Sequence, residues 1–304
     1  MGAPLLQRCQ PERLKKSLKK VIVDTTVMPK AIEFPTDSKL YFKSIKALVK
    51  TAQEYGVSLR QTYKKLASKS LRMRSRYAHA RQMKRAKKEE NKLHTYLGRV
   101  LRDFDRKTEG MCLDKECKFL LETTKRIFNQ QKHDSKKVYS VHEPHVECIS
   151  KGKSQKKYEF GCKASIVVTH KEGLALDVKA IHGNPYDGHT LQEALNKAET
   201  HAHTEIDTAF VDKGYRGHNV ENKKVFISGQ KKGVSKWIQA QIHRRQAIEP
   251  HIGHMKNDGK LGRNYLKGHL GDIYNAILCG IGHNLRFVYN WLFPRRKLRP
   301  RFSG

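Results

Sequence analysis

The sequence predicts an α/β protein in which helices flank a mixed sheet and a long helical segment interrupts that sheet. Short β-branched runs occur at residues 21–23 and again between residues 158 and 228, and such runs are typical of buried strands. Between them, residues 37–132 carry apolar side chains at every third or fourth position, which indicates helices. With 304 residues, the chain is long enough for one large domain or two ordinary ones.

Positive charge is the strongest compositional feature of the chain. It contains 62 Lys and Arg residues against 29 Asp and Glu residues, a formal net charge of +33. Such an excess repels itself and is typical of proteins that bind a polyanion, of which nucleic acid is the obvious one. No apolar run approaches the roughly 20 residues that a membrane span needs. The expected partner is therefore DNA and not a membrane. The expected location is cytoplasmic and nucleoid-associated.

The first predicted strand, Val21–Val23, ends in Asp24. An acid at this position is either a helix cap or a group presented at the edge of the sheet. The segment that follows is predicted to form a helical subdomain with three or four helices. Residues 60–92 contain 13 basic and two acidic residues, so the Arg and Lys rows of this subdomain are expected to contact phosphates.

The second half of the chain returns to strand-like patterns. Residues 158–170 and 174–181 flank a short glycine-containing turn and predict a β-hairpin. A further buried strand is predicted at residues 206–211, directly before Asp212, and another at residues 224–228. A second apolar strand thus ends in an aspartate.

Two helices are predicted in this half, besides a third that contains Glu249. Asp187 either caps a helix around residues 190–200 or borders the functional site. The tail from residue 272 to residue 292 is amphipathic. Its inner face is predicted to contain Ile273, Ala276, Ile277, Gly280, Ile281, Leu285 and Val288.

Asp24 and Asp212 become neighbours if their two strands lie side by side in parallel. Two adjacent carboxylates repel each other unless one takes a proton or a divalent cation bridges them. Glu249, on a helix packed against that edge, would supply a third oxygen ligand, and Mg²⁺ is the hard cation that suits such a set. The alternative is that both aspartates only cap turns and that Glu249 pairs with Arg245.

Arg245, Glu249 and Lys256 follow one another at offsets of four and seven residues, which places them on one helix face. Two Mg²⁺ ions about 3.5–4 Å apart can activate a nucleophile and stabilise the departing oxygen of a phosphoryl displacement. The two cations would then neutralise the phosphates being held. Taken alone, this face could equally be a solvated set of ion pairs.

These residues resemble the DDE triad of bacterial insertion-sequence transposases, which have an RNase H-like catalytic core. Asp212 and Glu249 are separated by 36 residues, a spacing similar to that of the family. The run Val-Asp-Lys-Gly-Tyr-Arg-Gly at 211–217 resembles its second-aspartate signature, and Arg245, Glu249 and Lys256 resemble its third-carboxylate motif. The nearest match is the branch called insertion-sequence family five.

The resemblance implies a fold, a site and a metal. The fold would be an RNase H-like mixed five-stranded sheet with a helical insertion after the first strand. Asp24, Asp212 and Glu249 would be the catalytic residues and the ligands of Mg²⁺, with Mn²⁺ as a possible substitute. The residues expected to bind DNA phosphates are Arg245, Lys256, Lys213 and Arg216.

The expected domain organisation follows from the same resemblance. Residues 1–20 form a basic lead-in, residues 21–36 and 136–292 the catalytic core, residues 37–135 the basic helical insertion, and residues 293–304 a basic tail. Two departures from the family stand out. Ile242 occupies the place of a family tyrosine, and the helical N-terminal domain with which relatives bind their terminal repeats is predicted to be absent.

The expected function is metal-dependent DNA cleavage and strand transfer that moves an insertion sequence. Its partners would be the terminal inverted repeats of the element, target DNA and further copies of the chain in a homo-oligomer. One alternative is a catalytically inactive, truncated transposase that acts only as a basic DNA-binding protein. A third hypothesis is a general nuclease on the same fold.

Six cysteines are scattered along the chain, and Cys112 and Cys117 form the only close pair. No second pair with zinc-like spacing follows, so free thiols are predicted. His142 and His145 could be a metal pair, but without a third partner they are predicted to be surface groups.

Overall fold

A computed structural model describes residues 16–150 and 157–293 and divides the chain into two compact units. Residues 32–148 form one, which we call the helical unit. Residues 1–31 and 149–304 form the other, which we call the sheet unit.

Eight helices and six strands make up the described part of the chain. The strands are β1 (Lys20–Pro29), β2 (Glu147–Ser150), β3 (Tyr158–Thr169), β4 (Ala175–Ile181), β5 (Thr208–Val211) and β6 (Lys224–Ile227). The helices are α1 (Asp37–Glu54), α2 (Lys64–His79), α3 (Met83–Lys107), α4 (Lys115–Asn129), α5 (Asp187–Ala202), α6 (Lys236–Arg244), α7 (Ile248–Asn257) and α8 (Gly268–Leu292).

The strands form one mixed sheet in the order β2-β3-β1-β5-β6, and β4 also pairs with β3. The β1–β3 and β3–β4 pairs are antiparallel, whereas β1–β5 and β5–β6 are parallel. This arrangement confirms the predicted α/β fold class and is consistent with an RNase H-like fold. The predicted hairpin is β3–β4. The sequence missed the short strand β2, so the sheet has six strands rather than five.

Strand β1 is longer than its apolar run predicts. It continues through Thr25 and Thr26 to Pro29, because β3 pairs with it along its length, from Val21 opposite Thr169 to Pro29 opposite Gly161. The prediction that Asp24 ends the strand is therefore wrong: Asp24 lies in its middle. It is β5, the parallel neighbour, that ends at this level.

The sheet separates two apolar clusters. On one face, Ile22 of β1 and Phe210 of β5 pack with Ile248 and Met255 of α7. On the other face, alternate residues of β1 and β5 pack against α5, including Leu191. Each fully buried Ile or Leu side chain contributes roughly 1.5–3 kcal/mol, so these contacts fix the level of α7 relative to the strand residues that carry the acids.

Helix α8 buries Ala276 and Gly280 of the predicted inner face but exposes its large apolar residues. Ile277, Leu285 and Val288 are exposed, whereas Asn275, Ala276, Cys279 and His283 are buried. The cause is a close approach to the sheet: a Cβ on Gly280 would lie 2.8 Å from Val178 Cγ2 of β4. Small side chains therefore face inward and large apolar ones face outward.

The helical unit has a core of its own, built from α1, α3 and α4. It includes Ile45, Leu48, Leu97, Phe104 and Ile127. Its four helices agree with the three or four predicted. Across the described residues, no helix is both long enough and apolar enough to cross a membrane.

Candidate active site

Asp24 and Asp212 lie side by side on the face of the sheet that packs against α7. Lys20 pairs with Thr208, Val21 with Ala209 and Ile22 with Phe210 in the parallel β1–β5 ladder. Two residues further along each strand, this register leads to Asp24 and to Asp212. Because side chains alternate along a strand, Asp24 shares its face with Ile22.

The Asp24 carboxylate is nearly buried and has two polar neighbours. Its Oδ2 lies 3.2 Å from Nη1 of Arg245, and its Oδ1 accepts a hydrogen bond of 2.8 Å from the Thr25 N–H. Burial raises its pKa from 3.8 to about 6, although the Arg245 charge lowers it. The neighbouring Asp212 carboxylate raises it further, so the two acids repel each other, as expected of carboxylates without a bound cation.

Asp212 follows β5 directly and shapes the turn after it. Its Oδ1 accepts a hydrogen bond of 2.8 Å from the Gly214 N–H and so caps a short 3₁₀ turn at residues 213–215. Asp212 thus caps a turn, as the alternative interpretation predicted, but the same carboxylate also adjoins Asp24. Lys213 and Arg216 flank the turn and are exposed.

Arg245 belongs to a 3₁₀ turn, residues 245–247, that joins α6 to α7. Its side chain is 11% exposed, and its Nε is buried without a hydrogen-bond partner among the described residues. The alternative in which Arg245 pairs with Glu249 is wrong, because the ion pair of Arg245 is with Asp24.

Glu249 is exposed in the first turn of α7, next to the fully buried Ile248. Pro250 also lies in this first turn, where a helix does not need its N–H. The described residues include no hydrogen-bond or ion-pair partner of Glu249. Lys256 lies in the last turn of α7 and is half-buried. The structure therefore joins Asp24, Asp212 and Arg245, but leaves the Glu249 carboxylate apart from them.

Three more residues lie around these acids: Tyr215 and Lys163, which sequence reasoning did not place in the site, and Asp187, for which it left that alternative open. Tyr215 is fully buried, and burial together with the charges of Asp24, Asp187 and Asp212 raises the pKa of its hydroxyl well above the usual value. Lys163 forms a 2.9 Å ion pair with Asp187. The capping alternative for Asp187 is wrong, since Tyr186 occupies the cap position and the helix has no side-chain cap.

The signals for these residues were partly visible. Tyr215 lies inside the Asp-Lys-Gly-Tyr-Arg-Gly run, and Asp187 precedes a helix that was correctly predicted. Nothing in the spacing of Lys163 connects it with Asp187, because their contact depends on how the end of β4 leads into α5.

The donor set at Asp24 and Asp212 suits a hard divalent cation. Carboxylate oxygens are the ligands that Mg²⁺ prefers, and the pKa of Asp24 is raised even though Arg245 is beside it. Within the described residues, the three predicted ligands do not form a group whose ligand atoms all lie within 4.8 Å of one another. The chemistry of the aspartate pair thus fits the ion, whereas the three carboxylates together do not form a compact set of ligands.

A different group meets that distance criterion: Cys162, His182 and Asp272, whose ligand atoms lie within 4.8 Å of one another. We interpret it as an internal polar network. Lys30 Nζ and Asn264 Nδ2 donate to Oδ1 of Asp272 at 2.7 and 2.6 Å, and His182 Nε2 lies 3.1 Å from Oδ2. The buried ammonium already balances the carboxylate, which disfavours a further cation there.

The cysteines are free thiols, as predicted, at all five described positions: Cys112, Cys117, Cys148, Cys162 and Cys279. Cys9 lies outside the described residues. His142 and His145 are exposed.

Comparison with known proteins agrees with this geometry. Residues 131–271 match the family model described as the transposase DDE domain. This part of the chain is thus similar to transposase DDE domains, which agrees with the resemblance drawn from the sequence. It contains Asp187, Asp212, Arg245, Glu249 and Lys256, whereas Asp24 precedes it.

A curated protein of Rhizobium meliloti, described as the uncharacterized protein ORF8 in the nfe locus, is 54% identical over 67 residues. These residues are 22% of this chain and 32% of that protein, so the chain spans about a third of the length of the relative it matches. No solved structure matches the chain.

Proposed function

We propose that this chain is the metal-dependent catalytic part of a DDE transposase, which cleaves DNA at the ends of an insertion sequence and joins the freed 3′ end to target DNA. The observation that carries this proposal is the parallel β1–β5 register, which brings Asp24 beside Asp212. The family match at residues 131–271 supports the transposase class. A cytoplasmic, nucleoid-associated location follows from this function.

The proposed ligands are Asp24 and Asp212, with Glu249 completing the set when DNA is bound. Bound Mg²⁺ or Mn²⁺ would supply the activation of the attacking oxygen and the stabilisation of the leaving oxygen. Arg245 holds the Asp24 carboxylate in place through their ion pair. The buried strands below both aspartates keep them from moving apart.

Lys213, Arg216 and Lys256 are the proposed phosphate ligands around these acids. Lys213 and Arg216 are exposed beside Asp212, on the turn that the Asp212 carboxylate caps. Arg245 reaches the DNA only if its ion pair with Asp24 opens or is shared, because its guanidinium is nearly buried. Exposed ammonium and guanidinium groups beside the acids would offset the charge of the backbone.

The test is nicking and strand transfer on terminal-repeat DNA with Mg²⁺ or Mn²⁺. Asp24→Asn, Asp212→Asn and Glu249→Gln should each lower the rate by at least about 10³-fold, as loss of a catalytic group does. Asp207→Asn is the matched control, since Asp207 is half-exposed in the same unit and pairs with Lys19. Full activity in the Asp24 and Asp212 variants would overturn the site.

A catalytically inactive, DNA-binding transposase is the second candidate, and the exposed position of Glu249 favours it. This candidate predicts salt-dependent DNA binding that the three substitutions do not change, with no turnover in any metal. A general nuclease would instead cleave without end specificity and yield no joined products.

Homo-oligomerisation is part of the proposal, and the outward face of α8 supports it. Large apolar residues repeat along this face with steps of three or four, at Leu270, Tyr274, Ile277, Ile281, Leu285, Val288 and Leu292, all exposed. They offer on the order of 1,000 Å² per chain, enough for a standard protein interface, and the helical spacing suits the same helix of a second copy. Sedimentation should give a dimer, and Ile281→Glu with Leu285→Glu a monomer.

A further inference from the structure

Asp187 makes an ion pair that leaves one of its carboxylate oxygens unused. It is the first residue of α5, and Lys163 Nζ on β3 donates to its Oδ1 at 2.9 Å. The same ammonium donates to the Pro185 carbonyl at 2.7 Å. Both charged side chains are mostly buried, so Lys163 fixes the end of the loop and the direction of the Asp187 carboxylate.

The second oxygen of Asp187 points toward Asp212. A Cβ added to Gly214 would lie 3.4 Å from Oδ2 of Asp187 and 3.0 Å from Oδ1 of Asp212. The two carboxylates thus approach one common point, above the glycine of the turn that Asp212 caps. This closeness puts both within reach of one divalent ion, or of two ions about 3.5–4 Å apart.

The glycine at position 214 is explained by this space. Its φ lies outside the left-handed range that favours glycine, so its backbone conformation is open to any residue. A side chain there would be crowded, because a methyl group would lie 3.0 Å from the Asp212 oxygen and 3.4 Å from the Asp187 oxygen. The chain keeps a gap between two carboxylates that repel each other.

Tyr215 provides an independent indication that three acids lie in one region, although the ligand atoms of all three are not within 4.8 Å of one another. Its side chain is fully buried, and its hydroxyl meets hydrogen-bond geometry with no described residue, although the Thr25 side chain lies near it. The negative charges of Asp24, Asp187 and Asp212 all act on this hydroxyl. A buried phenol held among three carboxylates is costly in the absence of a cation or water that links them.

We propose that Asp187 is a further carboxylate of the divalent-ion site at Asp24 and Asp212, binding the ion directly or through a water in place of Lys163. This inference rests on the proposed function, since it assumes that the aspartate pair binds an ion. Lys163 balances the Asp187 charge in the ion-free protein and competes with the ion for the carboxylate.

The experiment measures Mn²⁺ binding to the full chain without DNA, by calorimetry or electron paramagnetic resonance. Asp187→Asn should weaken Mn²⁺ binding by about 10-fold or more, within the range known for groups around metal sites. Gly214→Ala should weaken it as well, without removing any charge. Lys163→Met should strengthen it several-fold, because the competing ammonium is gone.

The chain offers a matched control pair. Glu193 lies on the same helix as Asp187 and pairs with Lys179 of the sheet. Glu193→Gln and Lys179→Met remove an equivalent helix–sheet ion pair away from Asp212, and Mn²⁺ binding should stay within about twofold of the wild type. An equal loss of binding in Glu193→Gln would contradict the inference.

The outcomes separate this inference from the proposed function. If Asp212→Asn abolishes Mn²⁺ binding while Asp187→Asn and Gly214→Ala leave it unchanged, Asp187 is outside the site and the proposed function stands. If Asp212→Asn itself has no effect, both fail. Should Asp187→Asn not fold, Lys163→Met decides: unchanged or weaker binding overturns the role of Asp187.

Discussion

Two aspartates, one in each unit of the molecule, respond to their surroundings in opposite ways. In the helical unit, the backbone N–H of Arg60 and the ammonium of Lys107 lower the pKa of Asp103, in spite of its burial. In the sheet unit, burial raises the pKa of Asp24 to about 6, although Arg245 is beside it. One carboxylate is stabilised in its charged form, whereas the other is held in a place where charge is costly.

The difference identifies which acids serve the fold and which serve a ligand. Against 62 basic residues, a carboxylate that only balances charge should have its pKa lowered, as Glu90 does through Lys87 once burial is overcome. The pKa of Asp24 departs from that rule chiefly because the side chain is buried, and the Asp212 carboxylate adds to the effect. A raised pKa beside a second carboxylate therefore indicates a binding site for a cation or a proton, whereas burial is the main cause of the raised pKa of Asp177.

The largest difference in stability is expected when a tightly packed glycine in each unit is replaced by alanine. A Cβ at Gly161 of β3 would lie 2.1 Å from the Met28 carbonyl oxygen, so Gly161→Ala forces β1 and β3 apart and should cost about 3 kcal/mol. In the helical unit, a Cβ at Gly98 meets the Phe128 ring at 2.8 Å. This ring can move, and alanine favours the helix by about 1 kcal/mol. Gly98→Ala should thus change stability by no more than about 1 kcal/mol, and equal urea midpoints for the two variants would contradict this.

Asp24→Asn should stabilise the ion-free protein at pH 8 by about 2 kcal/mol, because it removes a buried charge at the expense of the Arg245 ion pair. The folded pKa of about 6 exceeds the unfolded value of 3.8. Stability of the wild type therefore falls as the pH rises from about 4 to about 6, and the gain in the variant should vanish near pH 4. Thermal unfolding in EDTA at both pH values measures this. A loss of stability at pH 8 would mean that the Arg245 pair outweighs burial.

Asp103→Asn should change the stability of the helical unit in the opposite direction. The free energy of unfolding should fall by about 1 kcal/mol at pH 7, because the hydrogen bond from the Arg60 N–H is weakened. Its folded pKa is lowered, so its contribution is present above the unfolded pKa and is lost as the pH falls through the folded one. The two aspartate variants should thus show stability differences of opposite sign at neutral pH. Urea unfolding at pH 7 and pH 3 tests this contrast.

The smallest effect concerns DNA binding by α2, where four exposed basic residues follow one face. They are Lys65, Lys69, Arg72 and Arg76. Replacing all four with Gln should reduce the slope of log affinity against log salt by up to about 0.9 for each phosphate that the chain no longer neutralises, while Mn²⁺ binding in the sheet unit stays unchanged. Lys39→Gln with Lys43→Gln is the control, since both residues pair with Glu33. An equal change of slope in this control would remove α2 from the DNA surface.

Sequence reasoning predicted the neighbourhood of Asp24 and Asp212 because it depends on the backbone alone. Two apolar runs identify two strands, and the parallel pairing of these strands makes Asp24 and Asp212 neighbours. The length of β1 was underestimated, since the Thr25 and Thr26 side chains gave a weaker apolar signal than the run before them.

The contacts around Asp187 and Tyr215 could not be predicted, because they depend on side chains brought together from β3, α5 and the turn after β5. The inner face of α8 was mispredicted for a related reason. Hydrophobicity indicates which face avoids water, but the approach of Gly280 to Val178 selects small residues for the contact with the sheet.

The position of β1 in the chain has a consequence for folding. Its partners β3 and β5 are encoded after the entire helical unit. At about 5–20 residues per second, ribosomal synthesis separates β1 from β5 by on the order of ten seconds. The helical unit, with its local contacts, can form during that interval. The segment that contains Asp24 has no parallel partner until β5 and Asp212 have been synthesised. A nascent chain that ends before Asp212 is thus unable to assemble the aspartate pair.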